Sequence, residues 1–348
     1  MISIKDIARR AGMSVSTVSR VVNGKNYVSA AKRERILKLI RETGYVPNRA
    51  ARSMVLKRTF TVGIIIPETF NMFQRQLFSI MERRLESFGY HTAFFFASAD
   101  EQSEKACLTR LKSEKPDGVI MLHEMKNRYF CEYIRETGLP AVTATFHFPG
   151  IYSIHVNEEK ASKDAVNHLI GLGHRRIAMI TGNEFTFGRQ RADGYFRALA
   201  EADLERDLKS IVYVQSYTAE FGMYGMKELL LRLGKNGFTA VFAATDELAI
   251  GAIRVLNDEG MNVPGDVSVV GFDDIDIAKY MNPRLTTISQ PLTDMGEKTA
   301  LELHRQITGY SASGNETVLP YKLVVRESTI AAKQTAAKKT KQAGQNEA

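Results

Sequence analysis

The sequence predicts a small all-α head carrying a helix-turn-helix, followed by an α/β body of two doubly wound parallel-sheet lobes. Three observations lead there. Positive charge is concentrated at the start of the chain. The opening residues carry the apolar spacing of short helices arranged about a glycine. From residue 61 onward, continuous Val/Ile/Phe runs alternate with amphipathic stretches.

The charge is the first discriminator. The 348 residues carry a formal net charge of +8, of which residues 1–58 hold +11 and residues 331–348 hold +3, leaving −6 for the middle. A basic head on a mildly acidic body is the electrostatic arrangement of a nucleic-acid binder. A composition of 44% hydrophobic and 25% charged residues is that of an ordinary globular chain. No run approaches the roughly 20 apolar residues of a membrane span. Lys5, Asp6, Arg9 and Arg10 occupy the place of a signal peptide's apolar region. A cytoplasmic, nucleoid-associated protein without a membrane partner is expected. Cys107 and Cys131 form no spacing motif and are expected as free thiols, which disfavours zinc ribbons, disulfide scaffolds and secreted binding proteins.

In the head, Ile4, Ile7, Ala8 and Ala11 fall at i, i+3, i+4 and i+7, one face of a helix, and Gly12 permits the sharp turn after it. Ser14 is placed to cap a second helix, residues 15–22. Val18, Val21 and Val22 share its packing face; Val15, Ser16, Ser19, Arg20 and Asn23 share the other. That second face is short and polar with one arginine, which suits the major groove, where Arg pairs with guanine and small side chains allow close approach. A third helix is expected from Ser29 to about Thr43, ending at Gly44, with Ile36, Leu37 and Ile40 inward and Glu34–Lys38 as an i,i+4 pair.

Residues 47–55 are Ala-rich and follow Pro47, so they can start a helix, but one too short to be stable alone. We expect this segment to order only against DNA or a partner. In the body, strand candidates are residues 61–67, 91–98, 118–123, 141–145, 176–182, 211–215, 239–245 and 267–273. Helix candidates between them include 75–88, 159–172, 188–202, 219–233 and 246–259. These are too many strands for one small sheet, hence two lobes. There is no G-x-G-x-x-G after a strand, no phosphate-binding G-x-x-x-x-G-K-S/T, no Ser–His–Asp set and no metal-ligand spacing. No cofactor, metal or catalytic residue is therefore expected. His168, His174 and His304 read as surface or capping residues.

Several motifs resemble the lac repressor family of bacterial transcription regulators. They are Ser3-Ile4-Lys5-Asp6-Ile7-Ala8, Ala11-Gly12-Met13-Ser14, Thr17-Val18-Ser19-Arg20-Val21-Val22-Asn23 and Gly44-Tyr45-Val46-Pro47-Asn48, in order and at matching spacing. The resemblance runs to about residue 330. It implies a helix-turn-helix domain (1–46), a hinge helix and linker (47–58), and a two-lobed effector-binding and dimerisation domain (59–330) like periplasmic sugar-binding proteins. The N-lobe would take about 59–158 and 291–320, the C-lobe about 159–290 and 321–330, followed by a disordered basic tail, 331–348. The tail has no Leu heptad, so a homodimer is expected rather than a tetramer.

The function implied is a repressor that binds a palindromic double-stranded DNA operator and responds to a small effector, a sugar or sugar phosphate. The DNA-binding set is Ser3, Ser14, Val15, Ser16, Thr17, Ser19, Arg20, Asn23, Ser29, Tyr45, Asn48, Ala51 and Met54. Met54 stands where the family's hinge wedge is usually Leu. The effector set is Phe73, Arg191, Tyr217, Thr245 and Asp273. Arg191 comes from the Arg-x-x-Gly-Tyr element ending at Tyr195. Asp273 comes from Gly271-Phe272-Asp273-Asp274, Tyr217 is an aromatic platform, and Phe73 lies in the loop after the first strand. The same Arg191 and Asp273 also read as a structural ion pair across the lobes. Thr245, Ala144, Asn157 and Gln74 depart from the family pattern. A vestigial cleft, with control by a protein corepressor on the N-terminal lobe, is therefore the alternative. A cytoplasmic sugar-processing enzyme and an architectural DNA binder are weaker rivals.

Overall fold

A computed structural model describes residues 2–22, 27–45, 53, 58–68, 70–98, 100–126, 128–182, 187–310 and 315–333. The chain divides into two compact units, Met1–Phe60 with Lys115–Asp117, and Thr61–Glu114 with Gly118–Ala348.

In the first unit, α1 (Ile4–Ala11) opens on a capping box between Ser3 and Asp6 and closes on Gly12 in the left-handed conformation. Helix α2 (Val15–Val22) is capped by Ser14, whose Oγ accepts the Thr17 amide at 3.2 Å. Helix α3 (Ala30–Thr43) ends on left-handed Gly44. Ile7, Ala8, Ala11, Val18, Val21, Ile36 and Tyr45 form the core, with Val22 packed at its edge. Two expectations for α3 are corrected. Leu37 is exposed, and Leu39 packs inward instead, because Ile36, Leu39 and Ile40 complete the i, i+3, i+4 face. Lys38 pairs with Glu42 at 3.8 Å rather than with Glu34.

The second unit holds two six-stranded sheets. The first contains β1 (Thr61–Ile66), β2 (His91–Phe96), β3 (Gly118–Met121), β4 (Ala141–Ala144), β5 (Tyr152–Val156) and β11 (Glu316–Leu319), in the order β11-β5-β4-β3-β1-β2, all parallel. The second contains β6 (Ile177–Gly182), β7 (Ile211–Val214), β8 (Ala240–Ala243), β9 (Ser268–Asp273), β10 (Thr286–Ser289) and β12 (Lys322–Val324), in the order β12-β10-β9-β8-β6-β7. Only β12 is antiparallel, against β10. The helices are α4 (Met72–Ser87), α5 (Glu101–Glu114), α6 (Arg128–Thr137), α7 (Glu158–Gly171), α8 (Phe187–Glu201), α9 (Ala219–Leu233), α10 (Asp246–Asp258) and α11 (Leu292–Ile307). The chain passes from one sheet to the other between β5 and β6, returns between β10 and β11, and passes again between β11 and β12.

Val, Ile and Phe of the central strands are fully buried, as expected of parallel strands covered on both faces. The Arg-x-x-Gly-Tyr element explains how α8 packs. A Cβ on Gly194 would collide with the Glu159 carbonyl of α7, so glycine lets the two helices approach. Tyr195 is buried and donates to the Ile177 carbonyl at 2.7 Å. His174 is not a surface residue. It is buried, and its ring lies within hydrogen-bond distance of Thr239, Ser268 and the Ile330 carbonyl. His304 stacks on Phe88 with centroids 4.1 Å apart. Ala332 and Lys333 are still tied to the body, through the Leu172 carbonyl and Asp266. The tail beyond them lies outside the described residues.

Candidate functional site

A cleft of about 240 Å³ opens at the carboxyl ends of the strands, where open α/β sheets bind ligands. Pro67 and Glu68 follow β1, Ala97 and Ser98 follow β2, and Leu122, His123 and Glu124 follow β3. Phe146 follows β4, and Asn71 and Gln74 stand at the start of α4. The second sheet contributes Gln215, Ser216 and Tyr217 after β7, and Phe187 at the start of α8. The cleft is thus walled by both lobes.

Two aromatic rings build one side. Phe187 and Tyr217 lie with centroids 4.6 Å apart and planes 30° apart. Gly182 ends β6 directly beneath, and a Cβ there would collide with the Tyr217 ring. Glycine at this strand end is therefore what seats the tyrosine. The lining also carries polar side chains. His123 Nε2 and Ser216 Oγ are buried without a hydrogen-bond partner in the protein. Burial, the larger effect, holds the His123 ring below its usual range, against a hydrogen bond to the Ser98 backbone. Neutral His123 with its other nitrogen engaged offers Nε2 as an acceptor. Burial raises the Glu124 carboxyl. Among the described lining residues there is no Lys or Arg.

Of the expected effector residues, only Tyr217 lines this cleft. Phe73 is not in a loop. It lies in the first turn of α4, 5% exposed, and packs into the core. Thr245 caps α10, its Oγ1 accepting the Leu248 amide at 3.2 Å. Arg191 and Asp273 do not face each other across the lobes, because α8 and β9 both belong to the second lobe. Arg191 Nε donates to Glu158 Oε2 at 2.7 Å, Nη1 donates to the Ala244 carbonyl, and Nη2 lies 3.5 Å from Asp273 Oδ1. Its guanidinium stacks on Phe272 (3.6 Å) and on Phe187 (4.6 Å). Arg191 therefore sits behind the aromatic wall. Asp273 has φ 121°, a conformation favouring glycine, and its carboxylate also accepts from Gln290 at 2.8 Å.

The departures noted in the sequence are placed as well. Asn157 caps α7 and Ala144 is buried in β4. Gln74 closes a capping box with Asn71 and also lines the cleft. Sequence reasoning missed Glu158, His123, Glu124, Ser216 and Phe187. None stands in a motif, and only the strand-end rule would have drawn attention to residues 122–124 and 215–217. One contact bridges the lobes at the cleft's flank. The Met72 amide at the N-terminus of α4 donates to Glu247 of α10 at 2.5 Å, a carboxylate favoured by the helix dipole.

In the head, Val15, Ser16 and Arg20 are exposed on one face of α2, with Thr17 and Ser19 half-buried beside them. Ser14 Oγ also lies 2.9 Å from Ser16 Oγ and 2.8 Å from Thr17 Oγ1. Ser3 is committed to its capping box and Tyr45 to the core, whereas Ser29 is exposed and its side chain makes no cap hydrogen bond. Asn23, Asn48, Ala51 and Met54 lie outside the described residues, as does most of the hinge.

A helix-turn-helix followed by two parallel-sheet lobes with a strand-end cleft defines the class of DNA-binding transcription regulators built on a binding-protein body. Residues 3–48 match the family described as bacterial regulatory proteins, lacI family, and residues 166–329 match the periplasmic binding protein-like domain. Over 94% of its length, the chain is 32% identical to Catabolite control protein A of Priestia megaterium, covering 99% of that protein. It is 35% identical to the HTH-type transcriptional regulator CelR of Thermobifida fusca, over 94% of this chain and 98% of that protein. Among solved structures it is similar to a lac repressor dimer bound to operator and anti-inducer. There the TM-score is 0.82 at 27% identity, covering 95% of this chain and 99% of that one. It is also similar to a CelR–cellobiose complex, with a TM-score of 0.71 at 32% identity, covering 94% and 100%. The chain belongs to the lacI family of bacterial regulatory proteins. It is a DNA-binding transcription regulator, and these relatives are regulators rather than enzymes. No helix among the described residues is long and apolar enough to cross a membrane.

Proposed function

We propose that the chain is a cytoplasmic repressor that binds a palindromic operator as a homodimer and is controlled by a neutral, polyhydroxylated effector, a sugar, in the cleft. The observation that carries the effector class is the pairing of two unpartnered buried polar atoms, His123 Nε2 and Ser216 Oγ, with the Phe187–Tyr217 wall. A sugar presents hydroxyls to such atoms and an apolar ring face to aromatic side chains. The lining carries the carboxylates Glu68 and Glu124 and no described Lys or Arg, which disfavours a sugar phosphate. Arg191, Asp273 and Thr245 serve as the supporting wall rather than the first contacts.

On the DNA side, Ser16, Thr17 and Arg20 read base edges, Val15 meets a thymine methyl, and Ser3, Ser14, Ser19, Asn23, Ser29 and Tyr45 position the head. Asn48, Ala51 and Met54 occupy the minor groove at the operator centre. Effector binding favours one arrangement of the lobes and shifts operator affinity by its differential affinity for the two states.

The test is thermal melting of the full chain against neutral mono- and disaccharides and their phosphates, repeated on Ser216→Ala and Tyr217→Ala. A ligand of the folded state raises the melting temperature by mass action. A neutral saccharide should produce the shift and both variants should reduce it. A response to phosphorylated sugars alone would overturn the neutral assignment. No response to any sugar would leave a protein corepressor as the controller.

A further inference from the structure

We propose that His147, His155 and Glu316 form a binding site for a divalent transition-metal ion of the zinc class on the edge of the first sheet. Glu316 lies 161 residues beyond His155, which is why no local ligand spacing announces the set. His147 follows Phe146 in the turn after β4, His155 lies on β5, and Glu316 opens β11. In the parallel register Glu316 stands opposite Ser153. Two residues along, His155 therefore shares its face of the sheet.

The geometry is that of a ligand set. His147 Nδ1 and His155 Nε2 each lie 3.1 Å from Glu316 Oε2, and all three donor atoms fall within 4.8 Å of one another. A tetrahedral ion about 2.1 Å from each donor holds its ligands roughly 3.4 Å apart. Two of the three pairs are already close to that spacing, and His147 is exposed enough to turn and close the third. The second observation concerns His155. Its Nδ1 lies 2.8 Å from the Val156 carbonyl, while its Nε2 faces the Glu316 carboxylate. Both ring nitrogens thus meet acceptors. A cation between Nε2 and the carboxylate is compatible with this arrangement. Nδ1–H then donates to the backbone, the outer hydrogen bond that fixes a metal-ligating histidine.

Two imidazoles and one carboxylate select a borderline ion such as Zn²⁺ or Co²⁺ over Mg²⁺ or Ca²⁺, and three protein ligands leave a position for water. Bound there, the ion ties the turn after β4 to β5 and β11. Only Phe146 of that turn reaches the cleft, so the site is separate from the effector site.

The test uses the full chain without a histidine tag, stripped with a chelator and titrated with Zn²⁺ by calorimetry and with Co²⁺ by visible absorption. The expected result is one ion per chain, tetrahedral Co²⁺ bands and a higher melting temperature with Zn²⁺. His155→Ala and Glu316→Ala should weaken binding at least tenfold, by analogy with lost ligands and their supports. His147→Ala, in an exposed turn, is the variant to use if either strand variant fails to fold. His91→Ala, on the opposite edge strand β2, should bind like the parent. Absence of saturable binding would reduce the cluster to direct contacts of the two histidines with Glu316 and overturn the proposal. Equal binding by all variants would do the same.

Discussion

Glu158 Oε2 accepts a hydrogen bond from Arg191 Nε at 2.7 Å, and both side chains are almost fully buried. The pair fixes the start of α7 to α8 and places a cation behind the aromatic wall of the cleft. Removing the arginine would leave the Glu158 and Asp273 carboxylates buried without their cation. Breaking such a buried pair costs about 3–5 kcal/mol. We therefore expect Arg191→Ala to unfold at clearly lower urea concentration than the parent. Arg191→Lys should recover only part of the loss, because one ammonium cannot serve Glu158, Asp273 and the Ala244 carbonyl together. An unchanged urea midpoint in Arg191→Ala would show that the guanidinium supports nothing.

The cleft wall makes the opposite prediction. Tyr217 is half-buried and contributes its ring to the cleft. Tyr217→Ala is expected to leave the melting temperature of the free protein within a few degrees. It should weaken saccharide binding by about 10- to 100-fold, the worth of one well-packed contact of 1–3 kcal/mol. Isothermal titration with the saccharide found by melting gives the answer. Gly182→Ala should weaken it too, by displacing the same ring.

Stability should carry a signature of Asp273. Burial pushes its carboxyl up to about 7 from an ordinary 3.8, with Arg191 and Gln290 only partly opposing. Between those values the folded chain retains a proton that the unfolded chain has released. Stability from this group is therefore fully present below about 3.8 and is lost as pH rises through about 7. Urea titrations between pH 4.5 and 8 should show a shallower decline for Asp273→Asn than for the parent. Parallel curves would remove Asp273 from the pH response.

Much of this was legible from the residues, and each miss has a physical cause. Central strands such as β1 and β9 are runs of Val and Ile that bury both faces, and they announce themselves. Strands β5 and β10 do not, because Ser153, Thr286 and Thr287 are buried by pairing their hydroxyls rather than by being apolar, and β11 and β12 are short edge strands with few buried residues. Thr287, for example, donates to the buried Asp246 carboxylate at 2.5 Å. Arg191 was visible as a motif residue, but its partner Glu158 comes from another helix, and no local pattern links them. Phe73 was placed in a loop although the capping box of Asn71 and Gln74 starts α4 just before it. Leu37 was misplaced by one position on a helix face.

The head offers a separable test. Ser14 Oγ holds the first turn of α2 through the Thr17 amide. Ser14→Ala should cost about 0.5–2 kcal/mol of local helix stability and weaken operator binding. Arg20→Ala should instead leave the head folded and relax base preference by about 1–3 kcal/mol at one position. Hydrogen exchange on α2, set beside binding to single-base operator variants, separates the two. Similar protection and similar base selectivity in both variants would contradict this division of roles.

The most direct measurement is fluorescence anisotropy of the full chain on a DNA site selected from a randomised pool, with and without the saccharide that stabilises it. The selected site should be a palindrome, bound far more tightly than scrambled DNA. Adding the saccharide should change its Kd at least fivefold, within the usual range of allosteric coupling, and Tyr217→Ala should abolish that change. Equal affinity for selected and scrambled DNA would contradict operator recognition. An unchanged Kd with the cleft saturated would contradict control of DNA binding from the cleft.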